Sequence, residues 1–376
     1  MSKTRMKSLS ELCDLNMGQS PSSDSYNKEG DGIPFYQGNA DFGELHPTVR
    51  FWCNSPTKIA HEGDILISVR APIGALNVAT EECCIGRGLA ALTAKVDVSD
   101  RQYVFYALRS RVDELIASGT GSTFKAISKT ILGGIKLPAP NVDEQQKIAA
   151  VLDKVTALIA DRKEQLEQLD LMVKSRFVEM FGDPVENPMG WELLPLGNIG
   201  ELNRGISKHR PRNAPELLGG VYPLVQTGEV ANADLYIESY SATYSDIGLK
   251  QSKMWAKGTL CITIAANIAK TAILGFDACF PDSVVGFTAN EKTNEIFMHF
   301  WFSFFQKLLE EQAPESAQKN INLRILNALE VATPPIGLQN RFADFVSATD
   351  KAKIEIRQGL KELEVQYNAL MQRYFG

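Results

Sequence analysis

Two stretches of the chain place apolar side chains in alternating steps of four and three. In the first, Ile148, Leu152, Val155, Ile159, Arg162, Leu166, Leu169, Val173, Arg176 and Met180 share one helical face. In the second, Phe342, Val346, Thr349, Lys353, Ile356, Leu360, Leu363, Tyr367, Leu370 and Tyr374 keep the same register. This is the a/d repeat of a coiled coil, with Arg162 and Arg176 as polar exceptions in the first stretch. Pro138 and Pro140 precede the first stretch, Asn141 can cap it, Glu144 completes a capping box, and Gly182 and Pro184 stop it. Pro334 and Pro335 precede the second. A single stripe of this kind is most often an ordinary core helix. Two matched stripes of about 40 residues exceed the usual globular helix and favour pairing with each other. Arg162 either sets the register from a buried position or snorkels from the flank.

The remaining sequence repeats itself. Leu9-Ser10-Glu11-Leu12 through Asn16-Met17-Gly18 matches Leu196-Gly197-Asn198-Ile199 through Asn203-Arg204-Gly205 at an offset of 187. Pro34-Phe35-Tyr36-Gln37 matches Pro223-Leu224-Val225-Gln226 at 189, and Gly63 to Ile67 matches Gly258 to Ile262 at 195. Gln145 matches Gln339, and Phe181-Gly182 matches Phe375-Gly376, both at 194. Each match is weak alone, but their shared order argues for a duplication. Asp64 to Arg70 and Leu260 to Ile264 read as buried strands. Gln102 to Ile116 and Glu295 to Leu309 read as amphipathic helices.

The expected fold is therefore α+β. Two similar mixed α/β domains are joined by two long antiparallel coiled-coil helices with pseudo-two-fold symmetry. The expected limits are 1–140 for the first domain and 141–183 for a central long helix. The second domain follows at 184–335 and a C-terminal long helix at 336–376. A helix of that size is about 60 Å long. Antiparallel pairing would put the domains at opposite ends of a rod, matching the two-fold symmetry of duplex DNA.

Charge qualifies that picture. The net charge is −6 over 376 residues. Residues 1–140 are neutral, with 15 basic and 15 acidic side chains; 141–190 carry −4, 191–335 carry −3 and 336–376 carry +1. Neither large segment is basic, so strong DNA affinity by this chain alone is not expected. Cys13, Cys53, Cys83, Cys84, Cys261 and Cys279 form no Cys-x-x-Cys pair, and His46, His61, His209 and His299 supply no metal-ligand spacing with them. Reduced, mostly buried thiols and no metal are expected. With no apolar run of spanning length and no apolar stretch after Lys3 and Arg5, a cytoplasmic location is expected.

Catalytic motifs are missing. Asn187-Pro188-Met189 and Thr333-Pro334-Pro335 only approach the methyltransferase Asn/Asp-Pro-Pro-aromatic pattern and fit turns better. Gly119 to Lys125 lacks phosphate-loop spacing. Pro281-Asp282 followed by Asn290-Glu291-Lys292 lacks the acidic residue a metal-dependent nuclease needs two before the lysine. No catalytic residue is expected.

Polar side chains on glycine-rich loops suit base and phosphate contacts, because glycine lets backbone approach DNA closely. In the first half these are Gln19, Ser20, Gln37, Asn39, Arg70, Arg87, Ser122 and Lys125. In the second they are Arg204, Lys208, Gln226, Asn267, Lys270, Lys319 and Asn320. For any one of them, a turn residue or a solvated side chain is the more common outcome. Arg87, between two glycines, and Lys125 are the best individual candidates.

The sequence from Gly119-Thr120-Gly121-Ser122-Thr123-Phe124-Lys125 through Ile127-Ser128 and Ile135-Lys136-Leu137-Pro138-Ala139-Pro140 to Glu144-Gln145-Gln146-Lys147-Ile148-Ala149 resembles one particular junction. It is similar to the end of a target-recognition domain entering its spacer helix in Type I restriction–modification specificity subunits. Arg176-Phe177 through Met180-Phe181-Gly182-Asp183-Pro184 resembles the end of that helix. The second copy departs, with Gly337-Leu338-Gln339 and Ser316-Ala317-Gln318-Lys319 at the matching places. The resemblance covers essentially the whole chain. It implies a non-catalytic DNA-specificity subunit that recognises a bipartite, asymmetric target in double-stranded DNA. It also implies two modification (methyltransferase) subunits that carry S-adenosylmethionine, and a motor-nuclease restriction subunit beside them. The competing expectation is a rod-shaped interaction scaffold without DNA binding, which the low basicity favours.

Overall fold

A computed structural model describes residues 5–119, 125–265, 268–312 and 321–376, with the backbone alone for 307–312. The candidates Ser122, Asn267, Lys319 and Asn320 lie outside the described residues. The chain forms two compact units, Met1–Lys163 with Gln358–Gly376, and Glu164–Arg357.

In the first unit the strands Cys13–Met17, Leu89–Ala94, Ile65–Ser68 and Leu76–Val78 form an antiparallel sheet in that order. Strand alternation divides its side chains between two cores. Ile65, Ile67 and Leu92 pack with Tyr103, Val104 and Leu108 of the helix Arg101–Arg109. Leu66 and Ala91 face the other way, toward Tyr36 and Ile85 of a second sheet built on the parallel pair Ile33–Tyr36 and Cys83–Ile85. The second unit repeats the plan with Gly200–Arg204, Val284–Ala289, Leu260–Thr263 and Thr271–Leu274, and adds Tyr236–Ile237 as a parallel edge. Leu260, Ile262 and Phe287 pack on Phe297, Met298 and Trp301, while Cys261 and Ala272 face Trp255 and Phe280.

Strand register confirms the duplication residue by residue. Leu66 pairs with Ala91 and Cys261 with Gly286, each shifted by 195. Asn16 pairs with Ala91 and Asn203 with Gly286, shifted by 187 on one strand and 195 on the other. The parallel pairs Phe35–Cys84 and Leu224–Cys279 carry shifts of 189 and 195. The drift in offset therefore falls in the loops between strands. Gly63 and Gly258 both take positive φ, 84° and 91°, in the same tight turn before a core strand.

The long helices run Val142–Phe181 and Ile336–Phe375, 40 residues each. Asn141 caps the first, its Oδ1 accepting the Glu144 N–H at 2.9 Å. The fully buried Gln145 latches the helix start to its unit. Its Nε2 donates to Pro140 O at 2.8 Å and its Oε1 accepts the Asp100 N–H at 2.9 Å. Gln339 does the same with Pro334 O at 2.7 Å and Thr293 Oγ1 at 2.9 Å, so the departure at Gly337-Leu338 leaves the latch intact.

Within each unit the two helices run in opposite directions. In the first, Ile148 and Leu152 from the start of one helix share a core with Phe375 from the end of the other. In the second, Val173, Phe177 and Phe181 from the end of one helix pack with Phe342 and Val346 from the start of the other. The stripe is buried at Ile148, Leu152, Val173, Phe342, Val346, Thr349 and Lys353, and half-buried at Val155, Ile159, Leu166, Leu169, Tyr367, Leu370 and Tyr374. Arg162 is exposed, which removes it as a buried register residue. The buried charge on the stripe is Lys353, 8% exposed, which pairs with Asp170 and with Asp234 at 3.4 Å. The six cysteines are free and buried, and burial pushes the Cys13 and Cys83 thiols up to about 12.

Candidate nucleic-acid interface

Three loops of the first unit close on one another because glycine allows it. A Cβ on Gly18 would lie 2.2 Å from Gly86 O, and one on Gly88 would lie 2.3 Å from Gln37 O. The Gly18 N–H donates to Leu89 O at 2.9 Å, the Gln19 N–H to Ile85 O at 3.0 Å, and the Arg87 N–H to Ser20 Oγ at 3.4 Å. The result is a cleft of about 360 Å³ lined by Ser20, Gln37, Asn39, Arg70 and Arg87 together with Pro21, Tyr26 and Ala71. Five candidates distant in sequence thus meet at one place, with Ser20, Gln37, Arg70 and Arg87 exposed. Gln19 is exposed beside the cleft, its carbonyl accepting from Thr57 Oγ1 at 2.6 Å. Lys125 is exposed next to Ala126, which bridges Arg70, but Lys125 does not line the cleft.

A buried carboxylate outside the sequence candidates holds the cleft. Asp41, 2% exposed, accepts the N–H groups of Gln37 at 2.7 Å and Gly38 at 3.3 Å, and it also accepts Arg50 Nε at 2.7 Å. A buried carboxylate without such donors would be strongly destabilising, so Asp41, Arg50 and the Gln37–Asn39 turn form one unit. Its sequence signal was available: Gly38 is followed three residues later by an acid, the spacing of a capped helix start. In the second unit Gln226 opens the helix Thr227–Asn232, and Glu229 accepts its N–H at 3.1 Å as well as the Ser241 hydroxyl. The same device pins both turns.

The four described second-unit candidates are not gathered in one cleft. Gln226 lines a cavity of about 790 Å³ with Glu229, Asp234, Glu238, Asp350 and Arg357, an acidic lining that opposes phosphate. Lys270 lines an adjoining cavity of about 240 Å³ with Asp170, His299 and Lys353, and Asp234 and Asp350 border both. Burial there pushes the His299 imidazole down to about 4, with the Thr271 hydroxyl 3.1 Å from its Nδ1. Arg204 and Lys208 are exposed on a third feature, the segment Arg204–Arg212, which also carries Arg210 and Arg212. Arg204 Nε donates to the Asp282 carbonyl, and the Asp282 carboxylate receives Arg210 at 3.3 Å and Arg212. Arg210 and Arg212 were not among the sequence candidates, although the run of basic residues was visible. Among the described residues no group of three or more His, Cys, Asp or Glu is placed to hold a metal.

A sequence profile for the Type I restriction modification DNA specificity domain matches residues 1–169 and 188–365. A putative type I restriction enzyme MjaX specificity subunit from Methanocaldococcus jannaschii is 45% identical over 154 residues, covering 41% of this chain and 36% of that protein. The type I restriction enzyme MjaIX specificity subunit of the same organism is 28% identical over 229 residues, covering 56% and 52%. The chain thus spans about a third to a half of these two relatives in the regions that match. In fold, the Type-I restriction-modification system S subunit from M. genitalium superposes with a TM-score of 0.67 at 16% identity, covering 100% of this chain and 97% of that one.

Proposed function

This chain belongs to the Type I restriction modification DNA specificity family, and from that premise we propose that each head reads one part of a split, asymmetric site in double-stranded DNA. The supporting observation is the register-level repeat. Two heads share the register of the four-stranded core sheet yet carry different side chains on the loops. A common framework with unlike tips suits two unlike half-sites. The long helices set the gap between half-sites and dock two methyltransferase subunits. Those partners carry S-adenosylmethionine and perform the chemistry, and a motor-nuclease subunit joins them for restriction. The net charge of −6 means that much of the phosphate attraction comes from the partners. The complex works in the cytoplasm; among the described residues no helix is long and apolar enough to cross a membrane.

The test is methylome sequencing of a host expressing this chain with its modification subunit, and again with residues 1–140 exchanged for another first head. The expected outcome is a bipartite methylated motif of which one half changes on exchange. A change in both halves would refute modular reading. A host without new methylation, together with a complex that fails to shift DNA, would leave the chain as an interaction scaffold.

A further inference from the structure

The loop carrying Arg87 has a counterpart in the second unit with the opposite charge. Gly18 and Gly205 occupy equivalent places. Their N–H groups donate to Leu89 O at 2.9 Å and to Val284 O at 2.8 Å. A Cβ on Gly205 would lie 2.3 Å from Pro281 O, just as one on Gly18 would lie 2.2 Å from Gly86 O. The residue after Gly86 is Arg87 in the first unit, and the one after Pro281 is Asp282 in the second. Where the first head presents a guanidinium, the second presents a carboxylate that gathers guanidinium groups from the facing loop.

That facing loop is held firmly. Gln251 Oε1 accepts the N–H groups of Lys208 at 2.7 Å and His209 at 3.0 Å, and the Ser252 hydroxyl donates to Ile206 O at 2.9 Å. Arg210 is a strut: its Nη1 donates to Ser207 O at 2.6 Å and His209 O at 2.8 Å, and its Nη2 to Asp282 at 3.3 Å. Arg212 differs. Its one described hydrogen bond runs from Nη2 to Asp282, and its side chain is 47% exposed, so a guanidinium with five N–H donors stands at the surface.

We infer that Arg212 reads a guanine edge in the second half-site, positioned by Asp282 and Arg210. The inference rests on the function proposed above and names the residue that performs it in the second head. A planar guanidinium offers two parallel donors that match guanine O6 and N7. Holding it on a carboxylate settles its orientation before DNA arrives, so less side-chain entropy is lost on binding. A phosphate grip would be weakened by the adjacent negative charge, whereas a neutral base edge is not repelled by it. Asp282 therefore makes sense beside a base reader and works against a phosphate anchor.

The experiment uses the full chain co-purified with its methyltransferase subunit. The complex is incubated with a library of randomised duplexes, and the bound DNA is sequenced for the wild type, Arg212→Gln and Asp282→Asn. Arg212→Gln is expected to lose preference for one guanine in the half-site assigned to the second head by about tenfold or more. The first half-site and the melting temperature stay as in the wild type. Asp282→Asn is expected to weaken preference at that same position while binding random DNA more tightly at low salt, because a negative charge is gone. A purely structural Asp282 would not separate those two quantities in that direction. Arg212→Gln lowering all sequences alike, with the slope of log affinity against log salt flattened by about 1, would make Arg212 a phosphate contact and overturn the inference. An unchanged second half-site in both variants would also overturn it. A wild-type complex without preference in either half-site would defeat the underlying proposal itself.

Discussion

At equivalent places the two units carry Arg87 and Asp282, Phe105 and His299, and Met371 and Phe177. Around these pairs the framework is unchanged. Gly63 and Gly258 make the same turn, Gln145 and Gln339 make the same latch, and the core strands pair in the same register. The kept positions are those where backbone geometry admits few residues, or where a buried amide has to reach fixed partners. The altered positions fill space or face solvent, where several solutions work. The first unit gathers its polar loops into one cleft. The second spreads its described candidates over several features and invests in an aromatic cluster and a charged network, with Asp234 accepting Arg357 at 2.5 Å and pairing with Lys353.

The sharpest contrast is in the cores. Phe177 lies 4.9 Å from Phe181, 5.5 Å from Phe297, 5.1 Å from Phe304 and 5.4 Å from Phe342 between ring centroids. Its counterpart Met371 is only half-buried. Phe177→Ala is expected to cost about 3–5 kcal/mol, against roughly 1–2 kcal/mol for Met371→Ala. Urea midpoints of the two variants measure the difference, and equal losses would break the contrast.

A middle-sized effect concerns recognition. Arg87→Ala should cost about 1–3 kcal/mol on the first half-site alone, with relaxed preference at one base if the guanidinium reads an edge. Competition binding with duplexes altered in one half-site at a time measures it. An effect on both half-sites would mean that the heads are coupled.

The smallest effect depends on pH. The His299 imidazole is depressed to about 4, chiefly by burial. Asp234 pulls it upward and Lys353 downward. The unfolded chain takes up this proton near the ordinary histidine value, whereas the folded chain does not until about 4. The stabilising difference is thus complete at neutral pH and is lost as pH falls toward 4. By pH 5 the loss should reach about 1–2 kcal/mol. Burial pushes the Asp350 carboxyl upward, which adds a slope of opposite sign. Comparison with His299→Phe, which installs the first unit's residue, isolates the histidine. Urea midpoints at pH 7.5 and pH 5 should fall further in the wild type than in the variant, and parallel falls would remove His299 as the cause.

Local rules and repetition carried far along this chain. The long helices follow from spacing in steps of four and three, with proline before and glycine after. The duplication follows from short matches in constant order, because strand and helix periods leave no freedom to shift register without turning side chains to the wrong face. The first cleft was half legible: its polar residues were visible on glycine loops, and Asp41 could have been found from its capping spacing. Which residues meet was not legible, because Ser20, Gln37, Arg70 and Arg87 are joined through loop closure and sheet pairing, not through any local period. The same holds for Lys353. The heptad marks it as a misfit on an apolar stripe, and only packing supplies Asp170 and Asp234 as the partners that make a buried ammonium tolerable. Asp282 is the clearest case. The one-dimensional pattern offered it as part of a failed nuclease motif, and the fold sets it against Arg210 and Arg212, some 70 positions earlier. Charge acts through distance in space, and that distance is decided only when the loops have closed.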